Sequence, residues 1–397
     1  MVELKGHEEN KERPFGARHG EQQGRKNWKD RRIDEINFEG KDPAVLILGM
    51  CWAGWLDCCR ASQDAERSTP LSSTEKRESE TTGVSDTTSS FSMTQCDNGT
   101  ETRTLHPRHI IQATGQSGKK HLPAFKGMED FSRDRIFHSS EHPGANPESM
   151  GKKTIVVGSC NSANDIAQDF VERGYDVTMV QRSSTCVVSS DSTLNIAFKG
   201  LYDATGPPTE DADLYPWSIP SRLFKAQQAK VTQVTNQNDA KTIEGLDKAG
   251  FKVDSGPSDS GILMKYFQRG GGYYIDVGGS QLTIDGKVKI KHGQETSQVL
   301  PHGLRFADGS ELEADEIVFA TGYQNMRTET RVIFGDKVAD RVGDIWGLDK
   351  EGEMRTIWRR SGHPGFWFMG GNLAMSRYYS RLLALQIKAL EEGVTSW

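Results

Sequence analysis

Long apolar runs are missing from the sequence, and no window approaches the ~18 consecutive apolar residues of a membrane-spanning helix. Positive charge is not in excess either, because 49 Lys and Arg face 55 Asp and Glu, a net charge of -6. Nucleic acids and anionic membranes attract basic surfaces. The N-terminal segment MVELKGHEENKERPFG lacks the apolar core of a signal peptide. We therefore expect a cytoplasmic protein without a membrane span and without a nucleic-acid partner.

Cysteine is scarce, since the chain of 397 residues contains six. No CxxC pair and no Cys/His cluster of zinc-site spacing occurs. A long chain with so few cysteines does not form a disulfide framework, and reduced thiols are typical of the cytosol. We therefore expect neither a structural metal ion nor disulfide bonds.

Two parts of the chain lack the apolar periodicity of a folded domain. Residues 1–42 are charged and poor in apolar residues, which predicts a tail, with the remnant of a preceding domain as the alternative. Residues 62–94 are dominated by Ser, Thr and charged residues, and their low hydrophobicity cannot offset the chain entropy of folding, which predicts a disordered insert. At ~100–200 residues per domain, the remainder suffices for two domains.

One complete βαβ unit is legible in the sequence. Residues 154–158 predict a buried strand, and residues 176–180 predict the next one. Between them, apolar residues at helical spacing predict a helix over 161–173, which Gly174 would end. Further along, residues 304–312 predict a hairpin around Asp308-Gly309. The run at 270–274 predicts a turn before a strand, with a substrate-facing loop as the alternative.

The turn of this βαβ unit reads Gly158-Ser159-Cys160-Asn161-Ser162-Ala163 and has the position of the GxGxxG/A turn that binds a pyrophosphate. Gly158 suits the tight turn, and Ala163 permits close helix packing. The helix that starts at Asn161 and Ser162 would offer free N–H groups to phosphates. Cys160 replaces the second glycine, so the ligand would be displaced outward or would shift its pose. A structural strand–helix turn is the alternative.

Coenzyme choice depends on the residues that follow the second strand. An acidic residue there binds the ribose 2′-hydroxyl of NAD, whereas arginine accepts the 2′-phosphate of NADP. The sequence has Gln181-Arg182-Ser183-Ser184, without an acid. Arg182 can form charge-assisted hydrogen bonds to phosphate, and Ser183 adds a donor. The sequence therefore favours NADP, with a solvated surface arginine as the alternative.

A second glycine turn, with Gly49, Cys51 and Gly54, follows a short buried strand at 44–49. By position it is the FAD-binding turn of a two-nucleotide enzyme, and a degenerate or truncated unit is the alternative. Two further strands end in small residues, Ala113-Thr114-Gly115 and Ala320-Thr321-Gly322-Tyr323, which allow a chain to cross close to a dinucleotide. Residues 365–371 predict another strand. A final helix over 377–392 is predicted to carry one apolar face, at Tyr379, Leu382, Leu383 and Leu390.

In combination these motifs resemble the class B flavin-dependent monooxygenases, and most closely the fungal relatives of the plant YUCCA-type enzymes. Residues 158–165 resemble the GxGNSAxDIA turn of that family. Residues 131–140, with His138-Ser139-Ser140, resemble its FxGxxxHS fingerprint, although Arg133 replaces the fingerprint glycine and His142 its terminal aromatic residue. The segments 43–54, 113–127, 320–323 and 370–379 also fit.

The resemblance implies an α/β fold with two Rossmann-like dinucleotide-binding domains, the NADP domain being inserted in the FAD domain. The FAD domain would comprise 43–115 and 300–397, and the NADP domain 116–299 with connecting segments. Only residues 55–112 lie between the first turn and Ala113, fewer than the family uses, so an incomplete FAD domain is expected. The upstream domain of the fungal relatives is also expected to be missing. Predicted cofactor contacts are Gly49, Cys51, Gly54, Thr114, Gly115, Gly158, Cys160, Asn161, Ser162, Ala163, Arg182, Ser183, Thr321, Gly322, Tyr323 and Asn372.

The resemblance also implies a reaction: NADPH reduces FAD, the reduced flavin binds O₂ as a C4a-hydroperoxide, and a small organic substrate is oxygenated. No protein nucleophile is required, and His138 would lie near the nicotinamide or serve as a structural histidine. A flavin disulfide reductase is disfavoured because Cys58 and Cys59 are adjacent rather than spaced as CxxC. The alternative function is an NADP-binding protein that has lost its flavin half, from a truncated gene model.

Overall fold

The computed structural model describes residues 44–48, 106–203 and 205–397, together with the backbone of residues 93–97 and 101–105. Within these residues the chain is mixed α/β and contains one five-stranded and two three-stranded parallel sheets. The five-stranded sheet and one of the three-stranded sheets each form the centre of an α/β unit. The predicted α/β class with two such units is confirmed. The glycine turn at residues 49–54, the predicted tail and most of the predicted insert lie outside the described residues.

The secondary structure follows the chain in this order. The helices are α1 (Asn161–Glu172), α2 (Thr209–Trp217), α3 (Ser221–Asn238), α4 (Ala240–Lys248), α5 (Gly261–Arg269), α6 (Gly279–Ile284), α7 (Met326–Phe334), α8 (Asp336–Ala339) and α9 (Leu373–Glu391). The strands are β1 (Val45–Leu48), β2 (Met93–Asp97), β3 (Glu101–Leu105), β4 (His109–Gln112), β5 (Arg135–His138), β6 (Lys153–Val157), β7 (Asp176–Gln181), β8 (Thr185–Ser189), β9 (Val253–Asp254), β10 (Tyr273–Asp276), β11 (Val288–His292), β12 (Thr296–Leu300), β13 (Gly303–Phe306), β14 (Glu311–Glu313), β15 (Glu316–Phe319) and β16 (Phe366–Phe368). Short helical turns lie at Met128–Asp130, Ser139–Glu141, Ser190–Ser192, Thr193–Ala197 and Pro257–Asp259.

The second unit is a parallel sheet of order β11-β7-β6-β15-β5. Its β6–α1–β7 segment is the predicted βαβ unit, and α1 ends where Gly174 adopts a φ of 78°. The apolar face of α1, including Ala163 and Phe170, is buried against Val156, Val177 and Val318 of the sheet. The chain leaves β6 towards β7, while β15 lies on the other side of β6. This reversal creates a topological switch point between β6 and β15, the place where open α/β sheets bind ligands.

An antiparallel sheet of order β12-β13-β14 covers the second unit on another side. Its residues Val299, Leu304 and Phe306 share a core with Ile155 of β6 and Phe319 of β15. The predicted hairpin at 304–312 is therefore confirmed. The predicted return to the FAD domain at residue 300 is wrong, however, because β15 pairs with β6 and β5 and keeps residues 300–319 in the second unit.

The first unit is a parallel sheet of order β1-β4-β16. Its core contains Ile110, Trp367 and residues of α7 and α9, and also Trp217, Phe224 and Met264 from α2, α3 and α5. These helices lie within the predicted NADP domain, 116–299. That assignment is therefore corrected: burial of large aromatic and sulfur-containing side chains attaches α2, α3 and α5 to the first unit.

Two further predictions need correction. The final helix, α9, begins at Leu373 rather than at 377, because the Asn372 side chain caps it by accepting a hydrogen bond from the Met375 N–H at 2.9 Å. Leu383 is buried as predicted, but Leu382 is 38% exposed and does not belong to the buried face.

The predicted disordered insert, 62–94, overlaps β2, which begins at Met93 and pairs with β3. Within the described ranges, every helix is too short or too polar to cross a membrane.

Candidate coenzyme site at the carboxyl edges of two parallel sheets

The turn after β6 passes directly against the chain after β15. Gly158 has a φ of 131°, and its N–H donates to the Val180 carbonyl at 3.0 Å. A Cβ at Gly158 would lie 3.0 Å from the Ala320 carbonyl carbon and closer still to its oxygen. Only glycine therefore fits at this position, which is the switch point of the second unit.

The N-terminus of α1 opens from this turn without a side-chain cap. Cys160 is the N-cap in an extended conformation, so the first N–H groups of α1, at Asn161 and Ser162, have no acceptor within the helix. The Asn161 side chain accepts a hydrogen bond from the Ile275 N–H at 2.9 Å and is held against β10. Ser162 is exposed. An uncapped helix N-terminus of this length can bind an anion such as a pyrophosphate.

The Cys160 thiol is turned towards the glycine run before β10. Burial raises the pKa of the thiol, and a hydrogen bond from the Gly272 N–H opposes that rise. The run itself is the predicted turn: Gly270 and Gly272 have φ values of 70° and 91°, and β10 starts at Tyr273. The side chain that replaces the second glycine is therefore partly buried beside this run.

The end of β7 carries the residues predicted to select the coenzyme. Gln181 is fully buried, and its amide accepts from the Lys252 N–H at 2.7 Å and donates to the Lys252 carbonyl at 2.9 Å. Arg182 follows with its side chain 73% exposed, 3.9 Å from Glu295. Ser183 is also exposed. The amide of Gln181 is thus fully used in hydrogen bonds within the protein. Arg182 is the charged side chain at this edge that a ligand can reach.

The turn after β15 is fixed by a histidine. Gly322 has a φ of 77°, and its carbonyl accepts a hydrogen bond from the fully buried His138 Nε2 at 2.9 Å. The other ring nitrogen of His138 lies 2.8 Å from the Ser140 hydroxyl, and the Tyr323 ring packs edge-on against the imidazole. Burial lowers the pKa of His138, and the Gly322 hydrogen bond opposes that effect. His138 is therefore the structural histidine that the sequence left as one of two possibilities.

Two chain segments cross between the units beside this turn. The His121 N–H donates to the Gly322 carbonyl at 2.9 Å, and the Gln324 N–H donates to the Lys119 carbonyl at 2.8 Å. The Thr321 hydroxyl donates to the His121 carbonyl at 2.5 Å. One segment leaves the first unit after β4, and the other leaves the second unit after β15. β4 and β15, the two strands that end in small residues, are therefore the strands from which the two crossings start.

At the first unit, Thr114 and Gly115 follow β4 and Asn372 follows β16, so these three residues share one sheet edge. Gly371 has a φ of 110°, and a Cβ there would lie 3.1 Å from the Tyr266 hydroxyl. The Asn372 side chain is engaged in capping α9. Gly49, Cys51 and Gly54 lie outside the described residues.

A buried amide that the sequence analysis missed organises this edge. Gln112 is fully buried, donates to the Thr114 hydroxyl at 3.0 Å and accepts from the Thr330 hydroxyl at 2.6 Å. Gln112 thereby links the end of β4 to α7. Its position inside an apolar strand was the available signal, because a buried polar side chain requires hydrogen-bond partners. Among the described residues, no group of His, Cys, Asp and Glu side chains could hold a metal ion.

Comparison with known proteins gives partial matches. A family described as pyridine nucleotide-disulphide oxidoreductase matches residues 76–200, which include the glycine turn at 158–163 and Arg182. The chain is 26% identical over 218 residues to the probable indole-3-pyruvate monooxygenase YUCCA7 of Arabidopsis thaliana, covering 55% of this chain and 44% of that protein. It is 27% identical over 222 residues to the indole-3-pyruvate monooxygenase YUCCA1 of Oryza sativa subsp. japonica, covering 56% and 48%. The chain spans about half the length of the curated relatives it matches.

Among solved structures, a flavin-containing monooxygenase from Stenotrophomonas maltophilia aligns with a TM-score of 0.43 and 15% identity, over 78% of this chain and 69% of that chain. A closed structure of cyclohexanone monooxygenase aligns with a TM-score of 0.46 and 14% identity, over 76% and 63%. The sequence matches agree with the predicted resemblance to YUCCA-type monooxygenases.

Proposed function

We propose that this chain binds NADP(H) at the second unit and FAD at the first, and that it oxygenates a small organic substrate with O₂. The observation that carries the proposal is the switch-point turn of the second unit. There a glycine without room for a Cβ, an uncapped helix N-terminus and an exposed arginine lie along one sheet edge. This combination suits a dinucleotide that carries a 2′-phosphate.

The residues present fit NADP(H) in chemical terms. The N–H groups at the start of α1 would hold the pyrophosphate, and Arg182 with Ser183 would hold the 2′-phosphate. Gln181 cannot hold a ribose hydroxyl because the Lys252 backbone already occupies its amide. Cys160 is partly buried and precedes the first helical residue, so a bound pyrophosphate would lie beside its side chain.

The described part of the first unit fits one side of a second dinucleotide. Thr114, Gly115 and the N-terminus of α9 share the carboxyl edge of the sheet, and Gly371 precedes α9 with a φ of 110°. Bound FAD would supply the redox chemistry that passes electrons from NADPH to O₂. The protein residues would bind and orient both dinucleotides, and the two crossings would set the spacing of the two edges.

The choice of a monooxygenase rests on the curated relatives, whose names specify indole-3-pyruvate. A 2-oxo acid is therefore the first substrate class to test. A closer relation to the fungal branch, an incomplete FAD domain and a cytoplasmic location stay predictions of the sequence.

The decisive measurement is the flavin-to-protein ratio of the purified chain, followed by NADPH consumption with and without a 2-oxo acid. Bound flavin with oxygen-dependent NADPH oxidation would support the proposal. Tight NADP(H) binding without flavin and without turnover would refute the monooxygenase and favour the NADP-binding alternative. Failure to bind either dinucleotide would refute both functions.

Arg182→Ala tests the coenzyme assignment separately. Losing a charge-assisted hydrogen bond to phosphate should weaken NADPH binding by about 1.5–3 kcal/mol, whereas NADH binding should hardly change. Arg133→Ala is the matched control, because Arg133 is also exposed but precedes β5 at the opposite edge of the sheet. Equal losses for both coenzymes in titration calorimetry would remove Arg182 from the 2′-phosphate role.

A further inference from the structure

The only acidic side chain recorded beside Arg182 among the described residues is Glu295, which comes from the neighbouring strand end. β11 pairs with β7 so that His292 lies opposite Gln181, and the Gly293 N–H donates to the Gln181 carbonyl at 2.9 Å. Three residues after His292, the Glu295 carbonyl accepts from the Ala307 N–H at 2.9 Å. The backbone therefore presents Glu295 at the same sheet edge as Arg182.

The two side chains form an open pair. Arg182 Nη1 and Glu295 Oε1 are 3.9 Å apart, and the side chains are 73% and 72% exposed. Two lysines attached to this part of the sheet have partners of their own. Lys252, whose backbone binds Gln181, contacts Asp247 at 2.7 Å, and Lys291, which pairs with Val180, contacts Asp308 at 3.2 Å. A ligand phosphate that reaches Arg182 therefore also meets the Glu295 carboxylate.

We propose that Glu295 is a coenzyme-selectivity residue, whose carboxylate competes with the 2′-phosphate of NADP(H) for Arg182 and accepts hydrogen bonds from the ribose hydroxyls of NAD(H). This inference rests on the proposed coenzyme site. In many NAD-binding units an acid at the end of the second strand binds the ribose 2′-hydroxyl, but here that position is Gln181, whose amide binds Lys252. Glu295, which follows the adjacent strand β11, takes the place of that acid. The chain then accepts both coenzymes, with a smaller preference for NADP(H) than Arg182 alone would give.

The expected effect has the size of an exposed charge interaction. Neutralising Glu295 removes one repulsion of the 2′-phosphate and frees Arg182, so Glu295→Gln should raise NADPH affinity about twofold to fivefold. NADH affinity should stay the same or fall, because the amide is a weaker acceptor than the carboxylate. The gain for NADPH should shrink in high salt, since exposed charges are screened.

The test compares wild-type protein, Glu295→Gln and Glu313→Gln by titration calorimetry at low and high salt. Glu313 is the matched control because it is also exposed and ion-paired, to Lys153 at 3.0 Å, at the amino edge of the same unit. The titrants are NADPH, NADH, adenosine 2′,5′-bisphosphate and AMP, of which the last two isolate the 2′-phosphate.

The outcomes separate this inference from the proposed function. A gain confined to NADPH and adenosine 2′,5′-bisphosphate in Glu295→Gln, with no change in Glu313→Gln, supports it. Unchanged affinities in Glu295→Gln, or equal gains for NADPH and NADH, overturn it while the coenzyme site stands. Wild-type protein that binds neither coenzyme refutes the site and the inference together.

Discussion

Gly158→Ala is the sharpest test of the switch-point turn. The added Cβ would lie 3.0 Å from the Ala320 carbonyl carbon and 3.2 Å from the Ala320 Cβ, and closer still to the Ala320 oxygen. These atoms belong to the chain after β15, which pairs with both β6 and β5. The turn cannot accommodate the methyl group without moving away from Ala320.

The cost can be worked out from two contributions. A non-glycine residue held at a φ of 131° costs about 1–3 kcal/mol. Relief of the contact with Ala320 by movement of the turn costs about 1–3 kcal/mol more, the usual cost of overpacking. The sum, about 2–6 kcal/mol, is a large part of the ~5–15 kcal/mol that stabilises a typical domain. Any displacement also moves the first N–H groups of α1, so NADPH binding should weaken at least tenfold.

Urea unfolding and NADPH titration of the same preparations check both expectations. Gly286→Ala is the matched control, because Gly286 has a φ of 74° but no atom within 4 Å of an added Cβ. The stability of the control should fall only by the cost of the positive φ, and its NADPH affinity should stay unchanged. If Gly158→Ala matched the control in stability and in affinity, the close approach to Ala320 would not constrain the turn, and our reasoning would be refuted.

Three further predictions concern the surroundings of the site. Cys160→Gly should lower stability by about 1–2 kcal/mol through the lost, partly buried side chain but change NADPH affinity less than threefold, because the N–H groups of α1 stay in place; a large gain in affinity by calorimetry would contradict this. Arg135→Met should lower the free energy of unfolding in urea by about 3–5 kcal/mol, because it leaves the fully buried Glu316 carboxylate without its ion-pair partner. Adding Glu316→Gln should recover most of that loss. Burial lowers the pKa of His138 below its usual value of 6.5, so the unfolded chain takes up the proton first and stability should fall as pH drops below about 6.5; His138→Gln should flatten this slope in unfolding measured between pH 5 and 8.

The βαβ unit could be predicted almost to the residue because its signals are local. The period of the apolar residues fixed the face of α1, and Gly174 fixed its end. Asn372 carried an equally local signal, since asparagine before a periodic apolar run is a typical N-cap, yet the predicted helix began four residues late, at 377 instead of Leu373. The apolar face indicates which side of the helix is buried, whereas the N-cap residue marks where the helix begins.

The errors in domain assignment have a different origin. Residues 304–312 predict a hairpin correctly, but nothing in their pattern indicates that β15 then enters the sheet between β6 and β5. Likewise, the helical pattern around Trp217 and Phe224 does not specify which of two sheets these side chains will contact. Pairings between distant segments depend on the whole fold, so local periodicity cannot assign them.

The polar residues that organise the site were the hardest to predict. Gln112 and Gln181 both lie at the ends of buried strands, and each amide binds backbone or hydroxyl groups far away in the sequence. Glu295 gains its place beside Arg182 only through the pairing of β11 with β7. By contrast, the glycines at 158 and 322 were found, because a positive φ restricts the residue type itself.

The hydrogen bond from His138 gives this buried histidine a structural role at the Gly322 carbonyl. Gly322 accepts it, and the same carbonyl also receives the His121 N–H of the opposite crossing. One oxygen therefore joins β5, the turn after β15 and the segment that leaves the first unit. This oxygen and the bonds from Gln324 to Lys119 and from Thr321 to His121 together join the two crossings, so the spacing of the two sheet edges depends partly on it. The loss of His138 should consequently disturb the placement of the two units more than the affinity of the second unit for NADPH.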